Sequence, residues 1–171
     1  MTSAKRRPLY TPEERLRRDR SPWTTVQGVL APLQFLVMIV SAVLLVRYLT
    51  TGLGGEAAVV SVVIKTILLY LIMITGSIWE KDVFGKWLFA PAFFWEDVVS
   101  MGVMALHTAY VVGLVVPFLS STGLAWLALV AYAVYTVNAL QFVLKLRAAR
   151  RQEAAGREEN AAESGLAEVA S

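Results

Sequence analysis

Four carboxylates bracket a short aromatic stretch in the middle of the chain. Glu80 and Asp82 stand near its start and Glu96 and Asp97 at its end, within Trp79 to Asp97, WEKDVFGKWLFAPAFFWED. Seven aromatic side chains lie between or beside them: Trp79, Phe84, Trp87, Phe89, Phe93, Phe94 and Trp95. Two or three aromatics would read as an interfacial belt at the lipid headgroups. Seven, interleaved with charge, make a surface suited to a large, planar, amphipathic ligand. A carboxyl desolvated against apolar surface holds its proton more readily, which a general acid near neutral pH requires. Pro91 argues against one continuous helix through the stretch. Neighbouring helical positions point about 100° apart, so Glu96 and Asp97 do not share a target. Glu80 and Glu96, at matching depth, are expected to converge as acid and base, with Asp97 the alternative partner. A helix N-terminus favours acidic residues, which accounts for Glu96 and Asp97 cheaply but not for Glu80.

Two further ionisable groups interrupt apolar sequence. His107 lies eleven residues after Glu96, which puts both on one helix face about 16 Å apart along the axis. Intramembrane ionisable residues are expensive and therefore functional candidates. A neutral imidazole there can bond a neighbouring helix or ligate the metal of a bound tetrapyrrole. Lys65 is expected to snorkel outward, where its head lowers its own desolvation cost. Gln27, Gln34, Asn138 and Gln141 are expected to hydrogen-bond between helices.

The elements that carry these residues are apolar runs of membrane-crossing length. They cover roughly Val26 to Val46, Val59 to Ile78, Val98 to Phe118 and Leu124 to Leu144, each near the ~20 residues a spanning helix needs. None alternates as a barrel strand would. The chain has 171 residues, of which 57% are hydrophobic and only 17% charged, against about 25% charged in soluble domains. The predicted fold class is all-α: an integral membrane bundle of about four transmembrane helices, with the aromatic loop between the second and third. Three parts are expected: a basic N-terminal segment 1–25, a membrane domain 26–144, and a polar tail 145–171 that is partly disordered. The absence of cysteine excludes disulfides and thiolate chemistry. A single histidine excludes a multi-histidine metal site within one chain. The net charge of +3 does not indicate nucleic acid, because the basic residues flank the apolar runs.

Lysine and arginine also set an orientation. Residues 1–25, the aromatic loop and the tail hold fourteen of them, whereas the two opposite loops hold only Arg47. Both termini and the aromatic loop are therefore expected on the cytoplasmic side.

Several runs together point to one family. VQGVLAPLQFLV, KTILLYLIMITGSIWEKDVFGKWLFAPAFFWEDVVSM, ALHTAY and VNALQFVLKLRAAR resemble the 3-vinyl (bacterio)chlorophyllide hydratases, 2-vinyl in older ring numbering. The resemblance runs from about Leu9 to Arg150, and IWEKDVFGKWLFAPAFFWED is its most specific part. It implies a lyase of bacteriochlorophyll biosynthesis in a bacterial inner or intracytoplasmic photosynthetic membrane. Such an enzyme adds water to the vinyl group of chlorophyllide a or a related pigment and needs no redox cofactor. The only metal implied is the magnesium of the substrate, for which His107 is a candidate ligand. Within that frame Trp87, Phe89, Phe94 and Trp95 are expected to face the ring and Lys81 or Lys86 the propionate. The resemblance leaves open a homo-oligomer and contact with other pigment-synthesis enzymes. The alternative reading is a pigment-binding or carrier membrane protein that leaves its tetrapyrrole unchanged.

Overall fold

The computed structural model describes residues 9–169, and the side chains of residues 9–156. Lys5, Arg6 and Arg7 of the basic N-terminal segment lie outside the described residues. Five helices follow in order: α1 (Pro12–Arg20), α2 (Pro22–Thr51), α3 (Gly55–Phe84), α4 (Phe94–Val115) and α5 (Ser121–Val169). Among the described residues there is no strand. Helices α2 to α5 are each long and apolar enough to cross a membrane. The chain is a multi-pass, all-α membrane protein.

Helix α1 begins with a capping box: Thr11 Oγ1 accepts from the Glu14 N–H, and the Thr11 N–H donates to Glu14 Oε2. That reciprocal pairing satisfies two otherwise orphaned backbone donors. Pro22 then opens α2, as its fixed φ suits a first helical turn. The α2–α3 turn is short, with Gly52 (φ 72°) and Gly54 (φ 79°) in the left-handed region. Helix α3 stops at Gly85, whose N–H bonds Lys81 O at φ 76°; a side chain there would strain the cap.

Antiparallel hairpins α2–α3 and α4–α5 pack into one bundle, with α2 against α5 and α3 against α4. Small residues allow the close approach: Ala58, Ala125, Ala128 and Ala131 are all but fully buried. The opposite faces, such as Val29, Leu36, Val40 and Val43 on α2, are exposed and apolar, as lipid contact requires. Helix α1 lies against α3, and Arg15 and Arg18 reach Glu153 of α5 at 3.3 and 3.0 Å. Helix α5 runs on through the alanine- and glutamate-rich sequence beyond Leu144, residue types that favour helix.

Candidate active site

The ends of α3 and α4 and residues 85–93 between them build one enclosed polar cluster. Glu80, Glu96 and Asp97 are each at least nine-tenths buried. Glu80 comes from the last turns of α3 and Asp97 from the first turn of α4. The two carboxyls are bound by adjacent residues of the loop between the helices. The loop backbone bonds both. The Ala90 N–H donates to Glu80 Oε2 at 3.0 Å and the Phe89 N–H to Asp97 Oδ2 at 2.9 Å. Phe89 takes φ 58°, an uncommon conformation for a bulky residue. The strained backbone at this point aims its N–H at the carboxyl pair, a pattern found at functional sites.

Glu96 turns elsewhere. Its Oε2 accepts from Lys145 Nζ of α5 at 2.6 Å, and the same ammonium lies 5.2 Å from the centre of the Phe93 ring. The expected convergence of Glu80 with Glu96 is therefore corrected: Asp97 is the residue that meets Glu80. The rotation of α4 decides this, because it points residue 97 at α3 and residue 96 at α5. In the sequence Lys145 is one of the basic residues of the tail. Its signal was its depth, since α5 runs antiparallel to α4 and brings a cation opposite the Glu96 level.

We predict that Lys145→Met lowers stability by about 2 kcal/mol, between the values for exposed and buried pairs, because Glu96 is left without its counter-charge. Adding Glu96→Gln should restore most of the loss. Thermal unfolding of the two single variants and the double in lipid nanodiscs measures this coupling, and additive losses would refute it.

The aromatic stretch divides in two. Phe93 is 2% exposed and sits among Trp79, Phe84, Tyr10 and Phe142, with ring centres 5.6 to 6.4 Å away. Trp79 Nε1 also donates to Thr24 Oγ1 at 2.9 Å, tying α3 to α2. Burial pushes the Tyr10 hydroxyl up to about 12, opposed by the Arg18 guanidinium 4.7 Å from its ring centre. Trp87, Phe89, Phe94 and Trp95 form the other half and are exposed. Phe89 packs on Phe94, and Phe94 on Trp95. Lys81 Nζ caps α3 at Gly85 O and stands 6.0 Å from the Trp87 ring centre. Lys86 is exposed on the same loop, as is Asp82 at the end of α3.

His107 is not brought to this loop. It lies in the bundle interior, 1% exposed, beside Tyr132, and its Nδ1 donates to Val103 O at 2.8 Å. Lys65 does not snorkel. It turns inward to full burial, donating to Gln34 Oε1 at 2.6 Å and lying 3.8 Å from the centre of the Tyr135 ring. A hydrogen-bond acceptor and an aromatic face inside the bundle compete with the route to the headgroups, and neither was visible from Lys65's own neighbours. Gln27 and Asn138 do bond across helices, to Thr75 and Ser100. A groove of about 370 Å³ between α3 and α4 is lined by Val63, Thr66, Ile67, Tyr70, Thr108, Val111 and Val112. It presents the hydroxyls of Thr66, Tyr70 and Thr108 but no carboxyl.

Comparison with known proteins agrees with the resemblance. The model of the 2-vinyl bacteriochlorophyllide hydratase family matches residues 10–148. A 2-vinyl bacteriochlorophyllide hydratase of Rhodobacter capsulatus is 61% identical over 149 residues, 87% of this chain and 86% of the relative. One of Cereibacter sphaeroides is 59% identical over 150 residues, 86% of this chain and 92% of the relative. No solved structure matches the chain. The chain belongs to the 2-vinyl bacteriochlorophyllide hydratase family.

Proposed function

We propose that the chain adds water across the ring-A vinyl group of a (bacterio)chlorophyllide, giving the 1-hydroxyethyl product, with Glu80 and Asp97 as its acid–base pair. The observation that carries the chemistry is the two buried carboxyls held by the adjacent Phe89 and Ala90 N–H groups beside an exposed aromatic surface. The substrate class rests on the relatives' names and their high identity. It is a hydro-lyase.

The protonated carboxyl of the pair delivers its proton to the terminal vinyl carbon. The cation forms on the carbon attached to the macrocycle, which delocalises it. Water adds there, and the ionised carboxyl takes the proton released. One water is consumed and the pair ends with the one proton it began with, so the addition balances without an oxidant or reductant. The Phe89 and Ala90 N–H groups hold the two carboxyls in place. The pair is preorganised before the ring arrives, which removes reorganisation from the barrier. Trp87, Phe94 and Trp95 carry the flat face of the ring, and Lys81 or Lys86 takes the propionate at the water side. Glu96, held by Lys145, adds a fixed charge beside Asp97 and is not the proton donor. His107 is enclosed by its neighbours and takes no part in holding the ring at the loop.

The test uses membranes that contain the protein and a 3-vinyl chlorophyllide, with no nicotinamide or nucleotide added. The product should be heavier by one water. Its long-wavelength absorption band should move to the blue, because one double bond leaves the conjugated system. Pigment that binds tightly and is recovered unchanged would overturn the enzyme and establish the carrier.

The orientation belongs to the same reading. The loop and both termini face the cytoplasm of a bacterial inner membrane, on the strength of the basic-residue bias. Single cysteines at Gly54 and Lys86 in this cysteine-free chain check it. An impermeant thiol reagent on intact cells should label position 54 and spare position 86; labelling at 86 would invert the topology and move the site to the other face.

A further inference from the structure

The two ends of the chain meet beside the loop that holds the carboxyls. Helix α1 has one leucine, Leu16, and leaves it 53% exposed, so charge rather than apolar burial docks this helix. Arg18 Nη1 and Arg15 Nε reach the same Glu153 oxygen of α5 at 3.0 and 3.3 Å, and the Glu153 side chain is only 13% exposed. These pairs form because α5 continues as helix for about two turns past Lys145. The capping box at Thr11 fixes the chain direction just ahead of α1 and delivers the buried Tyr10 onto the loop. The Tyr10 ring stacks on Phe84 at 5.8 Å and meets Phe93 at 6.4 Å, with the Arg18 guanidinium 4.7 Å from its centre.

Beyond the other end of α1, Thr24 Oγ1 donates to Arg18 O at 2.7 Å and accepts from Trp79 Nε1 at 2.9 Å. The Trp79 ring lies 5.7 Å from both Phe84 and Phe93. Both flanks of α1 therefore converge on Phe93. The Phe93 N–H bonds Ala90 O at 2.8 Å, and Ala90 and its neighbour Phe89 donate the N–H groups that hold Glu80 and Asp97. Phe89 stands at φ 58°, a conformation that persists only where the surroundings impose it. Residues 85–93 form no helix or strand of their own, so the constraint comes from the rings packed on Phe93.

We propose that residues 9–20 and residues 145–153 of α5 clamp the loop into the shape that its carboxyl-binding N–H groups require, with Tyr10 and Arg18 as positioning residues. Both act through Phe93. The Tyr10 hydroxyl has no hydrogen-bond partner among the described residues, so the ring and not the oxygen does the positioning. The consequence for turnover rests on the reading of Glu80 and Asp97 as acid and base; the consequence for the loop does not.

Amide hydrogen exchange of the full chain in lipid nanodiscs, resolved at Phe89 and Ala90, reads the clamp without pigment. Tyr10→Ala should speed exchange there by about tenfold or more, while amides within α2 keep their rates. Arg18→Met removes the Glu153 pair but leaves the Tyr10 ring, and should speed exchange to a smaller extent. Tyr10→Phe keeps the ring and should match the unaltered chain. In turnover of a 3-vinyl chlorophyllide, Tyr10→Ala should lower kcat by about 10–100-fold, the cost of misplaced catalytic groups. KM should stay within about twofold, because Trp87, Phe94 and Trp95 are unaltered. A Tyr10 that only stabilised the fold would lower the unfolding temperature and leave kcat and exchange at 89 and 90 unchanged. That result, or a Tyr10→Phe variant as impaired as Tyr10→Ala, would overturn the clamp. Absence of hydration by the unaltered chain would overturn the hydratase reading alone, and exchange would still decide the clamp.

Discussion

Asp97→Asn and Glu80→Gln should each yield a folded, membrane-inserted protein whose turnover is lower by about 10²–10⁴, the range for loss of a general acid or base. Both substitutions keep the shape of the side chain and an oxygen for the Phe89 or Ala90 N–H. They remove only the capacity to pass a proton. The two losses should not add in the double variant, because either change disables the same proton-sharing pair. Glu96→Gln should cost far less, since Glu96 is committed to Lys145. Turnover is read under saturating pigment, with thermal unfolding measured in parallel to exclude loss of fold. A rate near that of the unaltered chain in either single variant would remove that residue from the mechanism.

Phe93→Ala should lower stability by about 3–5 kcal/mol, the range for deleting a buried phenylalanine. Phe93 is the ring on which the loop end of the bundle converges: Trp79 and Phe84 from α3, Tyr10 ahead of α1 and Phe142 from α5 all pack on it. It is also the N-cap of α4, and its N–H bonds Ala90 O at 2.8 Å. Loss of the ring should therefore loosen residues 85–93 and misplace the two N–H groups that hold the carboxyls. Trp95→Ala, at a position 70% exposed, should stay within about 0.5 kcal/mol and weaken pigment binding instead. Thermal unfolding of the two variants side by side makes the comparison. Equal stability losses would mean that the buried and exposed halves of the loop are not distinct.

The membrane architecture was legible in the sequence because spanning is a constraint on length and composition alone. Four apolar runs of spanning length leave few alternatives. The division of the aromatic loop was partly legible: the four rings assigned to a ligand are the exposed ones. What the sequence could not supply was partner choice over long separations. Glu80 meets Asp97 rather than Glu96 because of the rotation of α4 and the left-handed turn at Phe89, and neither leaves a mark in residue type. Lys65 turns inward because Gln34 and Tyr135, 31 and 70 positions away, wait inside the bundle. Helix α1 had a visible signature in Thr11 and Glu14, the spacing of a capping box.

The most direct test of the central claim follows the atoms of water into the product. The reaction is run in D2O and, separately, in water enriched in oxygen-18. Proton delivery to the terminal vinyl carbon predicts one non-exchangeable deuterium, in the new methyl group, and predicts that the hydroxyl oxygen comes from solvent. Formation of that labelled product should slow by about 10²–10⁴ in Asp97→Asn. A product without deuterium in that methyl group, or with oxygen drawn from dissolved dioxygen, would contradict acid–base hydration by this chain.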